Sequence, residues 1–112
     1  MKNVREESEQ TPIKSAIEKI SRLVSASLIK KESKKRYLEH LSKIDSGLLE
    51  HVYQRSAVRV TGLDMKYIIC FAADMEAKDI SLLFNIEPAS VHTARYRIRK
   101  KFPKEDTFRI IL

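Results

Sequence analysis

Residues 75–102 read MEAKDISLLFNIEPASVHTARYRIRKKF, and this segment is the most informative part of the chain. Its apolar residues recur every three or four positions in two blocks, which is typical of two amphipathic helices. Five of them are expected to fill the space between the helices: Ile80, Phe84, Ile86, Val91 and Ala94. Ser81 is small enough for a close crossing. Asn85 falls in the turn and tolerates left-handed backbone, and Pro88 suits a first helical turn. The stretch therefore predicts a helix, a tight turn and a second helix.

The second helix, predicted at about 88–102, carries cations outside its apolar stripe. The stripe consists of Val91, Ala94, Ile98 and Phe102. The cations are Arg95, Arg97, Arg99, Lys100, Lys101 and Lys104, and residues 89–104 include no acidic side chain. A phosphate backbone is a line of negative charge that such a face can meet. The pattern favours insertion of this helix into the major groove of duplex DNA over a merely solvated basic helix.

The composition supports a polyanionic partner. The chain has 112 residues, 33% charged and 43% hydrophobic, with a net charge of +7 and a pI near 9.6. This balance favours nucleic acid first and an anionic membrane second. The apolar run at residues 67–73 is too short to span a bilayer, and the polar first ten residues do not form a signal peptide. The single cysteine, Cys70, excludes an intramolecular disulfide, so a cytoplasmic location is expected.

Three segments are predicted along the chain. Residues 1–10 form a mobile tail, 11–56 a helical arm and 57–112 a helix-turn-helix domain, closed by a short helix near the C-terminus. Thr11 and Pro12 are predicted to begin the arm. Its apolar stripe is Ile13, Ile17, Ile20, Val24 and Leu28, resuming at Tyr37, Leu41, Ile44, Leu48 and Val52. The run KKESKKR at 30–36 either continues one long helix or interrupts it, and we favour the long helix. A break is predicted at 45–47.

A capping box at residues 61–64, with Thr61 and Asp64, is predicted to open a support helix that ends near Ala73. The predicted fold class is thus all-α, a three- or four-helix bundle of helix-turn-helix type preceded by a long helical arm. His40 and His51 have no ligand cluster at metal spacing. No nucleophile–base pair, paired carboxylates or glycine-rich phosphate loop is visible in the sequence. We therefore expect no enzyme activity, cofactor, metal or small-molecule substrate.

AKDISLLFNIEPASV at 77–91 and RYRIRKK at 95–101 resemble the LuxR-type helix-turn-helix, the C-terminal effector domain of bacterial response regulators. The resemblance is closest to the branch at the C-termini of Bacteroidetes regulators. It covers residues 60–112 and is only architectural before them. It departs at Glu87, where the family usually has serine or threonine, and at Asp74, which replaces a common glycine. It also implies that an upstream sensor can precede the arm.

The resemblance implies two groups of DNA contacts. The base-facing residues would be Ala89, Ser90, His92, Thr93 and Tyr96. The phosphate contacts would be Lys78, Arg95, Arg97, Arg99, Lys100 and Lys101. Two alternatives stay open within these groups. His92 is as consistent with a solvated helix histidine as with a base contact, and Arg95 could instead pair with Asp79 or Glu76.

The apolar face of the arm also leaves two alternatives. Ile17, Ile20 and Val24 could pack back onto their own domain or pair with a second copy to form a homodimer. Together these patterns predict a sequence-specific DNA-binding domain of a bacterial transcriptional regulator. Region 4 of an extracytoplasmic-function sigma factor is a close alternative. A protein-interaction module that no longer binds DNA is the alternative from another class.

Overall fold

The computed structural model describes residues 12–55 and 60–102, without the side chain of Val52. These residues form helices and no strand, so the all-α fold class is confirmed. The helices are α1 (Pro12–Ala26), α2 (Lys31–Ser42), α3 (Ser46–Gln54), α4 (Gly62–Ala72), α5 (Ala77–Phe84) and α6 (Pro88–Arg99). The predicted tail at 1–10, the Thr11 cap, Lys104 and the closing helix lie outside the described residues. No helix among the described residues is long and apolar enough to cross a membrane.

Helix α4 occupies the centre of the core. Its buried residues include Met65, Tyr67, Ile68, Ile69, Cys70 and Phe71. They point in all directions around the helix because α1, α2 and α6 all pack against it. The capping box is confirmed: Asp64 N donates to Thr61 Oγ1 and Thr61 N donates to Asp64 Oδ2, each at 3.1 Å. Leu63, in the first turn of α4, is 53% exposed.

The helix-turn-helix geometry of α5 and α6 follows the sequence pattern. Asn85 adopts the left-handed conformation at φ 56° and ψ 52°, and Ile86 N donates to Ser81 O at 3.0 Å. Pro88 is the first residue of α6. Val91, Ala94 and Ile98 of α6 are buried, as is Phe102 beyond its end. Of the five residues predicted to lie between the two helices, Ile80, Val91 and Ala94 are buried, and Phe84 and Ile86 are half-buried against the core.

Asp74 ends α4 in a second left-handed turn, with φ at 61°. Met75 N donates to Cys70 O at 3.1 Å, and Asp74 N donates to Phe71 O at 2.9 Å. This pair of bonds is the Schellman arrangement, which most often uses glycine at the left-handed residue. Asp74, noted above as a replacement for a common glycine, therefore occupies a position that requires left-handed backbone.

The expected long helix in the arm is wrong, because the chain bends between α1 and α2. Ser27 Oγ donates to Val24 O at 2.7 Å and accepts from Ile29 N at 3.3 Å, which closes the end of α1. Ile29 turns into the core, whereas Leu28, expected in the apolar stripe, is 92% exposed. The charged run at 30–36 does not interrupt a helix; most of it lies in the first turns of α2.

The apolar face of the arm packs on its own domain. Ile13, Ile20 and Val24 are fully buried within the chain, and α1 packs mainly against α4 and α2. Helices α1 and α2 are consequently part of the same core as α5 and α6. A homodimer through the arm stays a prediction.

A polar latch joins α2 to the first helix of the helix-turn-helix. The buried Tyr37 hydroxyl donates to Asp79 Oδ2 at 2.5 Å and accepts from Glu76 N at 3.2 Å. His40 Nδ1 lies 2.7 Å from Ala73 O, at the end of α4. Glu76 is the N-cap residue of α5, and its side chain makes no capping hydrogen bond. The Tyr37 hydroxyl therefore supplies a hydrogen-bond acceptor for a backbone N–H at the start of α5, and it joins the arm to this helix.

Candidate nucleic-acid interface

Helix α6 presents one face to the core and the other to solvent. At about 100° per residue, Ala89, Thr93, Tyr96 and Lys100 form a ridge opposite the buried Val91, Ala94 and Ile98. All four ridge residues are exposed. His92 and Arg99 flank the ridge on one side, and Ser90 and Arg97 flank it on the other. Because the buried side is fully packed, the ridge is held in a fixed orientation.

The predicted base-facing residues all lie on this exposed surface. Ala89, Ser90, His92 and Thr93 occupy the first two turns of α6. Thr93 Oγ1 donates to Ala89 O at 3.1 Å, and this bond within the helix orients the Thr93 side chain, including its methyl group. Tyr96 is 62% exposed, and Lys100 Nζ lies 4.4 Å from the centre of its ring. A hydrogen bond from Lys100, followed by its charge, lowers the pKa of the Tyr96 hydroxyl.

Arg95 lies beside the packed face of α6. Its guanidinium sits over the Phe71 ring at 4.5 Å from the ring centre. The Nε atom is buried and has no hydrogen-bond partner among the described residues. The pairing considered with Asp79 or Glu76 is not seen, since Asp79 accepts from Tyr37 and Glu76 pairs at 4.0 Å with Arg36 and Lys78. A cation–π contact with α4 therefore competes with phosphate binding at Arg95.

Asp64 holds two of the predicted phosphate contacts against α4. Its carboxylate, 3% exposed, lies 2.5 Å from Lys101 Nζ and 3.3 Å from Arg97 Nη2. Burial acts to raise the pKa of Asp64, but hydrogen bonds from Lys101, from Thr61 N and from Arg97 outweigh it and lower that pKa. The Lys101 side chain is largely buried in this pair, whereas that of Arg97 is about half exposed at 48%.

The sequence pattern missed this double role of Asp64. It assigned Asp64 to the cap of α4, which is correct, but nothing local connects residue 64 to residues 97 and 101. Arg97 keeps exposed nitrogens that can reach a phosphate. The ammonium group of Lys101 is bonded to the Asp64 carboxylate, and the Lys101 side chain is largely buried there.

The remaining predicted phosphate contacts are exposed cations. Arg99 and Lys100 lie at the C-terminal end of α6, and Lys78 lies in the first turn of α5. Lys78 Nζ is 4.0 Å from Glu76 Oε1, a distance at which water competes effectively with the pair. The described structure thus gathers four accessible cations, Lys78, Arg97, Arg99 and Lys100, on the two helices of the motif.

The described residues contain no group of three or more His, Cys, Asp or Glu side chains that could hold a metal ion. Comparison of the chain with protein-family models, curated proteins and solved structures finds no match.

Proposed function

We propose that this chain is a sequence-specific DNA-binding domain of a bacterial transcriptional regulator, of LuxR type, acting in the cytoplasm. The observation that carries the proposal is the outward face of α6. It is continuous, polar and free of acidic residues, and the opposite face is locked in the core. An α-helix with its side chains is about 10–12 Å wide, and the major groove of B-DNA is about 12 Å wide. In this proposal the ridge of α6 enters that groove.

Base edges would be read by the first two turns of α6. His92 can donate to a guanine, and the Thr93 methyl group can contact a thymine methyl. Arg97 and Arg99, on opposite sides of the ridge, would then meet phosphates on opposite sides of the groove. Lys100 would meet a phosphate at the end of α6, and Lys78 at the start of α5 would meet a separate one. Phosphate contacts of this kind set the register of the helix, while the base contacts give the sequence preference.

The buried cysteine agrees with a reducing compartment. Cys70 is fully buried, and burial raises the pKa of its thiol to about 12. It therefore stays a neutral core side chain at physiological pH, with no thiolate to act as a nucleophile.

Salt dependence of duplex binding tests the electrostatic part of the proposal. A preferred duplex would first be selected from random sequences at near-physiological salt, and its affinity measured as salt is varied. If about four phosphates are neutralised, log K should fall with log salt at a slope of roughly −3 to −4. Absence of any selected sequence, or measurable affinity with a flat salt response, would contradict the proposal.

Substitutions on α6 test which residues read the sequence. His92→Ala or Thr93→Ala should change the preferred sequence, at a cost on the order of 1–3 kcal/mol at the affected base pair. Arg99→Ala or Lys100→Ala should weaken all sequences about equally. His51→Ala on α3 and Lys35→Ala on α2 are matched controls, because both residues are exposed and far along the chain from α6. An unchanged preference in both His92 and Thr93 variants would mean that another face of α6 meets the bases.

One observation favours a second candidate, a protein-interaction module without DNA binding. Predicted phosphate contacts are engaged within the protein: Arg95 lies over the Phe71 ring, and Arg97 and Lys101 bond the buried Asp64. Such a module would show no retention on DNA and a binding to protein that changes little with salt. The salt titration separates the two candidates directly.

A further inference from the structure

The surface between α1 and α5 carries a group of exposed leucines that the proposed function does not use. Leu23 lies on the outer side of α1 in its last turns, Leu28 lies in the bend after α1, and Leu82 lies on α5. These side chains are 43%, 92% and 55% exposed, respectively. Together with Leu83 they line a cleft of about 270 Å³, completed by Ala26 and Ser27. We call Leu23, Leu28, Leu82 and Leu83 the leucine patch.

The most exposed leucine of the patch is carried on a firmly bonded bend. Val24 before it and Ile29 after it are both buried. Lys34 Nζ donates to Ser25 O at 3.1 Å and to Ser27 O at 2.9 Å, and the Ser27 hydroxyl bonds to Val24 O. Leu28 therefore cannot turn inward without breaking these bonds. Leu28 therefore stays at the surface beside Leu23, Leu82 and Leu83, and a contiguous exposed apolar patch, unlike a lone exposed leucine, points to a surface that meets another molecule.

The chain around the patch is cationic. Residues 19–31 contain Lys19, Arg22, Lys30 and Lys31, and all four cations are exposed. Two exposed acidic residues, Glu18 and Glu32, flank this run, so the net charge beside the leucines is positive. On α5, Lys78 pairs with Glu76 at 4.0 Å and adds no net charge to this surface.

We propose that the leucine patch is the docking site for an acidic amphipathic helix of a partner protein. The partner would insert an apolar side chain into the cleft between α1 and α5, and its carboxylates would meet the cations of residues 19–31. Helices that bind grooves in this way use apolar anchors three, four or seven residues apart. The patch includes no residue of α6, so docking does not depend on the proposed DNA contacts.

Charge and shape favour this occupant over the alternatives. A second copy would bring the same cations face to face with these, and like charges across an interface are unfavourable. A lipid surface would be met by a flat or convex apolar face, whereas the leucines here line a cleft. An acidic amphipathic helix can place an apolar side chain in the cleft and pair its carboxylates with the nearby cations.

The test uses the full chain and a panel of synthetic helices of about 16 residues, with leucines on one face in different registers and glutamates elsewhere. Binding is followed by fluorescence anisotropy and by amide chemical shifts. We expect at least one member to bind, with shifts centred on Leu28 and Leu82 and with affinity that falls as salt is raised. Leu28→Ser or Leu82→Ser should weaken that binding by about tenfold or more. Leu63→Ser is the matched control, since Leu63 is 53% exposed but lies on α4 outside the patch.

Rival occupants are tested on the same variants. Leu28, Leu82 and Leu63 are all exposed, so circular dichroism should show that each of the three serine variants is folded. The proposal is overturned if no acidic helix binds, if lysine-for-glutamate versions bind equally well, or if Leu63→Ser weakens binding as much as Leu28→Ser. It is also overturned if Leu28→Ser instead abolishes self-association in sedimentation, or binding to phosphatidylglycerol vesicles, while the acidic helices stay unbound.

Discussion

At the scale of single residues, Asp64 connects the support helix to the proposed recognition helix. It caps α4 through Thr61 and, from the same carboxylate, bonds Lys101 and Arg97 near the end of α6. A buried carboxylate is costly unless its charge is paired and its oxygens are hydrogen-bonded. Here both conditions are met, so Asp64 adds charge pairs to the apolar packing that holds α6 on α4.

We predict that Asp64→Asn lowers the free energy of unfolding by about 1–3 kcal/mol at pH 7. Asparagine can still cap α4, so the loss reports the charge pairs. Because the pKa of Asp64 is lowered in the folded state, the stabilisation is complete above the ordinary carboxyl pKa of about 4 and is lost as the pH falls below it.

Chemical denaturation between pH 2 and pH 7 measures this difference. Asp45→Asn is the control, since Asp45 is exposed and accepts from Leu48 N at 3.0 Å, a bond that asparagine can replace. A difference between the wild type and Asp64→Asn that stays the same from pH 7 to pH 2 would show that charge is not the cause.

At the scale of elements, the polar latch formed by Tyr37 and Asp79 joins α2 of the arm to α5 of the motif. Tyr37 and Asp79 are 42 residues apart in the sequence, and their bond is buried between the two helices. The same hydroxyl receives Glu76 N at the start of α5. The orientation of the first helix of the motif is thus set partly by α2.

We predict that Tyr37→Phe destabilises the protein by about 1.5–3 kcal/mol, because it leaves a buried carboxylate oxygen and a backbone N–H without this partner. Burial, followed by the bond to Asp79, raises the pKa of Tyr37 to about 12. Its hydroxyl therefore adds stability that is complete below the ordinary tyrosine pKa of about 10 and is lost as the pH rises towards 12.

Urea unfolding at pH 7 and pH 11 measures both effects. The wild type should lose part of its advantage over Tyr37→Phe at the higher pH. Tyr96→Phe is the control, since Tyr96 is 62% exposed and should change stability little. Equal stability of Tyr37→Phe and the wild type at pH 7 would contradict a structural role for the latch.

At the scale of the whole molecule, the described helices share one core. Residues of α1, α2, α4 and α6 belong to one buried cluster, and its fully buried side chains include Ile13, Ile20 and Tyr37. Removal of the arm would expose the apolar side of α4 that α1 and α2 cover. The part of the chain from residue 44 onward would then keep only part of this core, and small domains have little stability to spare.

We predict that the full chain unfolds in one cooperative transition, and that a chain beginning at residue 44 loses most of its helical signal. Far-UV circular dichroism during thermal unfolding shows both. Ile20→Ala should lower the free energy of unfolding by about 2–4 kcal/mol while keeping a single transition. Two separated transitions, or a well-dispersed NMR spectrum from the shortened chain, would show that the arm and the motif are independent.

Much of the motif was predictable because its signals are local. The left-handed turn at Asn85, the proline at the start of α6 and the buried spacing of Val91, Ala94 and Ile98 all depend on residues within four positions of one another. The capping box of α4 is local in the same sense. The exposed positions of His92, Thr93 and Tyr96 follow from the same periodicity. Whether they read bases stays a prediction.

By itself, then, the sequence determined the helical class, the turn of the motif and the two faces of α6, since helical periodicity and turn chemistry act over a few residues. The tertiary structure alone decided where the arm packs, why Leu28 is exposed while Ile29 is buried, and which cations of α6 are engaged. Tyr37 with Asp79, Asp64 with Lys101, and Arg95 over Phe71 join residues 24 to 42 positions apart. Such contacts follow from how the helices pack in three dimensions, and no local spacing encodes them.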